Sequence, residues 1–490
     1  IVCLAHFMRI KDAVAVILVF LTLAAFVPYG VLASPALAVQ YYAEPMFKMG
    51  GGQAQAGSVL LGFPYPEGTP PYDPSQVAAY YGFDQLWQKS YEGQGETIVI
   101  VDAFGSPTIY QDTAVFDAVF GLPPISLQVV ALPGPSNSTL QDREGWAMET
   151  SLDVEWAHAM APYAKIVLVE ASSDSLSAMY KAVAYAVQNR LGQVISMSWG
   201  LPEPYELEVT GPGSIQSFHA IFAKAISEGI TLVASSGDQG AYNGLSTPNV
   251  NYPASDPYVL AVGGTNLTLS SSTYGTTAYG DVSISSTTEY LWSYSGGGES
   301  SYFAEPSWQA SAGIELTTQS GAVQPTGRAV PDVAYAAMSP YGASGWAGLW
   351  IFDSTPYVFQ VQSSSGQVST YVIVGWYGVG GTSCGSPAWS ALIADSLSSR
   401  GDPSLGPQEV HPKGQQLAAA PGLAVGFGLV TPSIYAEHES YSSYFNPVIP
   451  YETSYLELNN NGYYYYSTGW DAITGWGSPR ASALLEVLGS

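Results

Sequence analysis

Residues 93–102 read GQGETIVIVD. The run from Thr97 to Val101 is apolar and β-branched, which is typical of a buried strand, and it ends directly on the acid Asp102. Four similar runs follow along the chain, at Lys165 to Val169, Gln193 to Met197, Ile230 to Ala234 and Tyr258 to Val262.

Helical patterns separate these runs. One extends from Ser175 to Arg190, with Asp174 as the expected N-cap, and another extends from Ile215 to Glu228 and ends at Gly229. Continuous apolar strands that alternate with helices predict an α/β fold in which a parallel sheet has helices on both faces. Ligands of such sheets bind beyond the carboxyl ends of the strands, so polar residues that follow a strand are candidates for a site.

The composition indicates a folded and acidic protein. Of 490 residues, 47% are apolar and 11% are charged, and 13 Lys and Arg against 39 Asp and Glu give a net charge of −26. Such a chain repels phosphate backbones and anionic lipid surfaces, so nucleic acid is not an expected partner. The negative charge falls as carboxylates are protonated, which suits an acidic medium.

The N-terminal segment has the pattern of an export signal. Arg9 and Lys11 precede an uncharged run from Ala13 to Val27, and Ala36 to Ala38 is typical of a cleavage site. The predicted location is therefore extracellular, secreted or at the cell surface, with no membrane contact beyond this segment. Residues 1–38 are predicted to be a signal peptide or, alternatively, a membrane anchor. Residues 39–72 are predicted to be a linker or propeptide remnant, and residues 73–490 a single large catalytic domain.

The strongest local signal is GGTSCGSP, residues 380–387, which a helical pattern follows. Its glycines permit a tight turn, and Pro387 suits a first helical turn. Ser383 therefore lies just before a helix N-terminus, where the dipole and free N–H groups favour the negative charge of an attacking oxygen. A glycine-rich turn with a capping serine would produce the same pattern.

A serine nucleophile needs a base, and histidine is the usual one. The sequence contains five histidines, and none lies in a glycine-flanked motif. His158 and His219 fall within helical stretches, where a structural role is the commoner one.

A pair of acids offers another base. The i,i+4 spacing of Glu149 and Asp153 puts both carboxylates on one face of a helix, either as a solvated face or as a functional pair. Burial and like-charge repulsion would raise the pKa of at least one, so that a carboxylate can act as general base at acid pH. Asp238, after the fourth strand, is either a turn residue or a protonated donor to an oxyanion. The apolar residues on the same helix face are Trp146, Trp156 and Met160.

From about Pro74 onward, the chain resembles the sedolisins, or serine-carboxyl peptidases, a family with a subtilisin-type fold and a Glu-Asp pair as base. The resemblance implies that Ser383 is the nucleophile, Glu149 its base and Asp153 the group that orients the base. The matching stretches, in the family's order, are 93–102, the helix with 149–153, 195–200, 235–238, 262–265, 300–303, 331–333 and 381–383.

The same resemblance implies that Asp238 is the acid of the oxyanion hole, and that Asp102 and Trp199 hydrogen-bond and pack behind the carboxylate pair. The implied activity is acid-active hydrolysis of polypeptide substrates through an acyl-enzyme. Members of the family normally have a long prodomain that blocks the cleft. Only a few dozen residues separate the predicted signal from the catalytic domain, so the propeptide is a separate chain, or dispensable, or missing from a truncated sequence.

The resemblance also implies a calcium ion near the C-terminus. Asp471 matches a family carboxylate, but Pro447 occupies the position of the other. A hard cation takes about six or more oxygens, so the loss of one carboxylate weakens this site. The expected ligands, mostly through backbone carbonyls, are Asp471, Val448, Ser467 and Gly469, with Asn446 as a further donor.

Two alternatives remain open from the sequence. The first is a neutral peptidase on the same fold that uses Asp102, His158 and Ser383, with activity lost when the histidine is protonated. The second is a catalytically silent, glycosylated surface or binding protein, for which the sequons at Asn137 and Asn266 would be the attachment sites.

Overall fold

The structure is a computed structural model that describes residues 44–45, 48–49, 70–135, 139–210, 212–271, 282, 284–341, 345–362, 368–400, 426–451 and 459–488. Residues Tyr41–Ser490 form one compact unit. The predicted signal peptide, most of the predicted linker and the sequon at Asn137 lie outside the described residues.

The strands and helices are as follows. The strands are β1 (Glu44–Pro45), β2 (Lys48–Met49), β3 (Thr97–Ala103), β4 (Ser126–Ala131), β5 (Lys165–Ala171), β6 (Val194–Met197), β7 (Trp199–Pro202), β8 (Thr231–Ser235), β9 (Asn251–Tyr252), β10 (Val259–Ser271), β11 (Ile284–Leu291), β12 (Gly298–Ala304), β13 (Leu316–Thr318), β14 (Gly321–Val323), β15 (Gly327–Val330), β16 (Val333–Tyr341), β17 (Gly345–Ala347), β18 (Leu349–Gln362), β19 (Val368–Gly380), β20 (Phe445–Asn446) and β21 (Ser478–Pro479). The helices are α1 (Pro74–Tyr81), α2 (Phe83–Trp87), α3 (Ile109–Phe120), α4 (Leu140–Met160), α5 (Leu176–Gln188), α6 (Glu203–Thr210), α7 (Pro212–Ser227), α8 (Ser307–Ala312), α9 (Gly385–Ser398), α10 (Thr431–Ala436) and α11 (Ala481–Leu488).

The main sheet has the strand order β17-β16-β10-β8-β6-β3-β5-β4, and β11 pairs with β10. All pairs from β16 to β4 along this order are parallel, while β17 and β11 pair antiparallel. The five strands predicted from the sequence are β3, β5, β6, β8 and β10, so the predicted parallel sheet is confirmed. After β3 the chain forms β4 and β5, which lie on one side of β3 in the sheet. It then forms β6, which lies on the other side of β3. This reversal of strand order places a crevice at the carboxyl ends of β3 and β6.

Helices cover both faces of the sheet, as expected. The strand residues alternate between two apolar cores: Ile98 and Ile100 belong to one core, and Val99 and Val101 belong to the other. Helices α4 and α9 contribute to the first core, and α5 and α7 contribute to the second. This alternation is the two-residue period of a strand that is buried on both sides.

Two local expectations are corrected. Ser175, not Asp174, caps α5, because Ser175 has an extended backbone and its Oγ accepts a hydrogen bond from the Ala178 N–H at 3.4 Å. The Asn266 side chain is only 2% exposed and donates to the Tyr451 hydroxyl at 2.8 Å, which leaves no room for a glycan there. Within the described part of the chain, every helix is too short or too polar to cross a membrane.

Candidate active site

The turn that carries Ser383 joins the end of β19 to helix α9. Gly381 has a φ of +119°, a conformation that a side chain would strain, and its N–H donates to the Ala337 carbonyl at 2.7 Å. A short 3-10 turn over Thr382–Cys384 follows, and the helix begins at Gly385. The nucleophile predicted from the sequence therefore lies at the N-terminal end of α9.

Ser383 is fully buried beneath the end of β6. Its hydroxyl donates to the Ser198 carbonyl at 3.3 Å. Ser198 directly follows β6, and its own hydroxyl donates to Asp153 Oδ1 at 2.8 Å. One residue therefore connects the predicted nucleophile with the predicted acid pair.

Glu149 and Asp153 lie one turn apart on α4, and both side chains are fully buried. The Ser383 hydroxyl is close enough to Glu149 to lower the pKa of that carboxyl. This hydroxyl donates to the Ser198 carbonyl, and neither Glu149 oxygen has a hydrogen bond of good geometry within the described residues. The helix predicted from the spacing of the acids is present, and the pair is buried rather than solvated.

The electrostatics of this pair are dominated by burial. Burial raises the pKa of Glu149 well above its usual range, and the charges of Asp153, Asp102 and Asp238 raise it further. Burial and the Asp102 charge likewise raise the pKa of Asp153, against the Ser198 hydrogen bond, which lowers it. At least one of these acids therefore retains a proton in the folded state at pH values where an exposed carboxylate is ionised.

Asp238 lies beside the nucleophile. Its Oδ1 accepts hydrogen bonds from both the N–H and the hydroxyl of Thr382, each at 2.8 Å. The Thr382 hydroxyl oxygen in turn accepts from the Gly237 N–H at 3.1 Å, in a turn where Gly237 has a φ of +117°. These bonds fix the Asp238 carboxyl next to the residue that precedes Ser383.

Asp102 and Trp199 form the back of the site. Asp102 is fully buried, and burial is the main cause that raises its pKa to about 7, partly offset by the Thr150 hydroxyl. The Trp199 indole N–H donates to the Val101 carbonyl at 2.7 Å, which ties the residue after Ser198 to the end of β3. Both residues lie at the crevice that the strand order predicts.

His158 does not complete a triad with Asp102 and Ser383. Its Nε2 contacts the Pro123 carbonyl at 2.9 Å and Asp117 Oδ1 at 3.2 Å, although it lies on the same helix as Glu149. The geometry therefore gives no support to the neutral peptidase that the sequence left open.

Ser198 is the member of the site that the sequence interpretation did not assign. It lies in a stretch that was matched to the family, but no role was given to it. The signal was available, because Ser198 is a polar residue that directly follows a buried strand, and Asp102 and Asp238 lie at the carboxyl ends of neighbouring strands of the same sheet.

The predicted calcium ligands fit the ion poorly. Asp471 is buried, and its Oδ1 accepts hydrogen bonds from the Ile473 and Thr474 N–H groups at 2.9 Å each. The Ser467 hydroxyl donates to the Trp470 carbonyl at 3.0 Å, and Val448 packs in a small apolar cluster. A single carboxylate that already closes its own turn is a weak centre for an ion that takes about six to eight oxygens. No step of the chemistry below is assigned to calcium.

Comparisons with known proteins agree with this fold. A model of the subtilase family matches residues 144–413, more than half of the chain. Kumamolisin from Bacillus sp. (strain MN-32) is 29% identical over 85% of this chain, and sedolisin from Pseudomonas sp. (strain 101) is 28% identical over 78%. The matches span 63% and 56% of the lengths of those two relatives.

A solved structure agrees as well. Pseudomonas sedolisin, described as a serine-carboxyl proteinase complexed with two molecules of pseudo-iodotyrostatin, has a TM-score of 0.59 and 26% identity to this chain. The similarity covers 85% of this chain and 97% of that structure. The fold and the site together define a subtilisin-like α/β protein with buried carboxylates around a serine. The chain belongs to the subtilase family, and its relatives lie in the sedolisin group.

Proposed function

We propose that this chain is a secreted, acid-active serine-carboxyl peptidase that hydrolyses peptide bonds of polypeptide substrates. The observation that supports this proposal most is the buried serine whose neighbours are acids instead of a histidine: Ser383 with Glu149, Asp153 and Asp238. A silent binding protein has no need for like charges that are buried at the carboxyl edge of a sheet, because their desolvation destabilises the fold.

The reaction follows from the positions of these groups. Ser383 Oγ attacks the carbonyl carbon of the substrate, and its proton passes to an ionised Glu149. Asp238 in its neutral form would donate a hydrogen bond to the oxyanion and keep its proton when the carbonyl re-forms, as a neutral carboxylic acid can do. Glu149 then gives its proton to the leaving amine as the C–N bond breaks. Water repeats the same steps on the ester and releases the acid product and free Ser383.

The acid pair explains why an acidic medium would suit this reaction. Two buried acids one helical turn apart titrate as a coupled unit, so that the pair holds one proton over a wide pH range. In that state Glu149 can be the charged partner and Asp153 the neutral one, oriented by the Ser198 hydroxyl at 2.8 Å. A histidine base would already be protonated under these conditions.

The pH profile of hydrolysis of a denatured protein is the test. We expect activity of the wild type within roughly pH 2 to 5 and a loss of at least about 10³-fold in Ser383→Ala. Ser390→Ala is the matched control, because Ser390 is a buried serine of the helix that follows Ser383, and its hydroxyl donates to the Ser386 carbonyl at 2.8 Å. Activity that peaks near neutral pH, or that survives in Ser383→Ala, would overturn the proposal.

A further inference from the structure

The end of β5 carries an acid that the chemistry above does not use. Glu170 is the register partner of Asp102 in the parallel pair of β3 and β5. Neighbouring strands of a sheet lie about 4.8 Å apart, so the Cα atoms of these two acids are separated by about that distance. Glu170 is therefore the direct cross-strand neighbour of the acid at the back of the site.

Both side chains project from the face of the sheet that α4 covers. Successive side chains of a strand alternate between its two faces. The residues two positions earlier, Ile100 and Leu168, both belong to the apolar core to which α4 contributes. The Thr150 hydroxyl of α4 is also close enough to Asp102 to lower its pKa. Asp102 and Glu170 therefore lie in the same layer as the acid pair on α4.

The two cross-strand acids differ in their contact with water. Asp102 is fully buried, and neither of its oxygens has a hydrogen bond of good geometry within the described residues. Glu170 is partly exposed. Its carboxyl lies against Gly105, where an added Cβ would overlap Glu170 Oε1, so the glycine leaves room for the acid. A row of acids thus leads from the buried pair to a group that contacts water. This acid row consists of Glu149, Asp153, Asp102 and Glu170.

The charges along the acid row act on one another. Burial raises the pKa of Asp102 to about 7, and the Glu170 charge contributes to this rise. Burial also raises the pKa values of Asp153 and Glu149, and the Asp102 charge raises both further. Burial alone raises the pKa of Glu170. A charge at the outer end of the row therefore reaches the catalytic pair through one intermediate acid.

The other elements around Glu170 contribute few charges. Its register partner on β4 is the uncharged Ala131, and α5 packs on the opposite face of the sheet. From α4, Arg143 lies over the Phe104 ring at 5.7 Å, in the turn that follows β3. Asp174 lies four residues farther along the chain. A cation at this turn favours the charged form of a nearby carboxyl, so Glu170 should ionise before the buried acids do.

We infer that Glu170 sets the upper pH limit of the peptidase activity, because its charge holds a proton on the buried acids behind it. Glu170 does not touch the substrate, so it is a positioning residue that acts through Asp102. This inference rests on the proposed function, and it adds to the reaction a residue outside the catalytic groups.

The direction of the effect follows from the charge of the active state. In that state Glu149 is charged, while Asp153 and Asp102 hold their protons. As the pH rises, these three acids lose a further proton, a second charge appears among them, and activity ends. An ionised Glu170 opposes the second charge and so extends the active state to higher pH. At low pH Glu170 is neutral and has no such effect.

The pH profiles of kcat and kcat/KM of Glu170→Gln on an external peptide test this inference. We expect the alkaline limb to move to lower pH by about 0.5–1 unit, which is a loss of about 3–10-fold on that limb. At about pH 3 the rates should stay within about twofold of the wild type. Glu170→Asp should restore part of the limb. Salt at 1 M should move the wild-type limb toward that of Glu170→Gln, since the charge of a partly exposed carboxylate is screened.

Glu96→Gln is the matched control. Glu96 is a buried acid just before β3, and six residues at about 3.3 Å each place it about 20 Å from Asp102. Its profile should overlay that of the wild type. A Glu170→Gln profile that also overlays the wild type, a uniform loss at every pH, or a limb that moves to higher pH would overturn the inference and leave the proposed function standing. A wild-type limb that salt does not move would contradict it without any variant. If the wild type hydrolyses no peptide in acid, the proposed function fails as well.

Discussion

Two fully buried glutamates in this molecule have opposite surroundings. Glu289, on β11, accepts hydrogen bonds from four hydroxyl groups, at distances from 2.5 to 3.0 Å. Glu149, on α4, has no hydrogen bond of good geometry within the described residues, and three other carboxylates raise its pKa. The four donors to Glu289 are Tyr80, Tyr81, Thr265 and Ser478.

The difference separates a structural acid from a reactive one. Four hydroxyl donors compensate the desolvation of Glu289, and they join α1, β10, β11 and the segment that begins at β21. Glu149 lacks this compensation, so its charged form is costly and its affinity for a proton is high. Burial alone therefore does not distinguish the two sites, whereas the supply of donors does.

Replacement of Glu149 by Gln should have the largest effect on activity. The amide keeps the shape but cannot accept the proton of Ser383, so kcat should fall by about 10²–10⁴-fold, the usual contribution of a general base. The melting temperature should stay the same or rise, because one of the crowded charges is removed. Steady-state hydrolysis of a peptide at acid pH, together with thermal unfolding, measures both effects.

Glu155→Gln is the control for this prediction. Glu155 is a buried glutamate on the same helix, and its Oε2 accepts from the Phe352 N–H at 3.0 Å. Its replacement should leave kcat within a few-fold of the wild type. Equal losses of activity in the two variants would mean that Glu149 has no special role.

Replacement of Glu289 by Gln should reverse this pattern. The amide nitrogen cannot accept a hydrogen bond, so hydroxyl donors are left without an acceptor, and the free energy of unfolding should fall by about 2–4 kcal/mol. Activity per folded molecule should stay close to that of the wild type. Denaturant unfolding and active-site titration separate the two quantities.

The exposed Glu315 is the reference for that experiment, and Glu315→Gln should change the free energy of unfolding by less than about 0.5 kcal/mol. A Glu289→Gln protein that is as stable as the wild type would show that the four hydroxyl contacts contribute little.

Asp102 should make the fold more stable in acid than near neutrality. Burial raises its pKa to about 7, whereas an unfolded aspartate titrates near 3.8. Between these values the native state binds more protons than the unfolded state, so stability is complete below about pH 4 and falls as the pH rises toward 7. Asp102→Asn should reduce this slope by on the order of 1 kcal/mol per pH unit.

Melting temperatures of the wild type and Asp102→Asn from pH 3 to pH 8 measure this effect, with Glu315→Gln as the exposed control. The profile of Asp102→Asn should be flatter than the other two. Parallel profiles for all three proteins would contradict a proton bound at Asp102.

The sequence predicted much of the fold and the main residues of the site, for physical reasons. The centres of β3 and β5, residues 98–101 and 166–169, are apolar throughout, as is typical of strands buried on both faces. The spacing of Glu149 and Asp153 fixes both acids on one helix face. Ser198 was not assigned, because its role depends on a contact between the end of β6 and the turn at Ser383. The hydroxyl donors around Glu289 are even less accessible to sequence analysis, since they come from three distant segments.

Asp471 resembles Glu289, because it is a buried acid whose oxygen is held by hydrogen bonds. The smallest predicted effect, on the melting temperature, follows from this likeness. Its Oδ1 is already held by the Ile473 and Thr474 N–H groups, and these bonds partly offset the burial that raises its pKa to about 7. Since backbone donors supply what a cation would otherwise supply, a chelating agent should lower the melting temperature by less than about 2 °C, corresponding to less than about 2 kcal/mol for a chain of this size. Added calcium should then produce no recovery beyond that shift, whereas a large fall that calcium reverses would show that the ion binds despite Pro447.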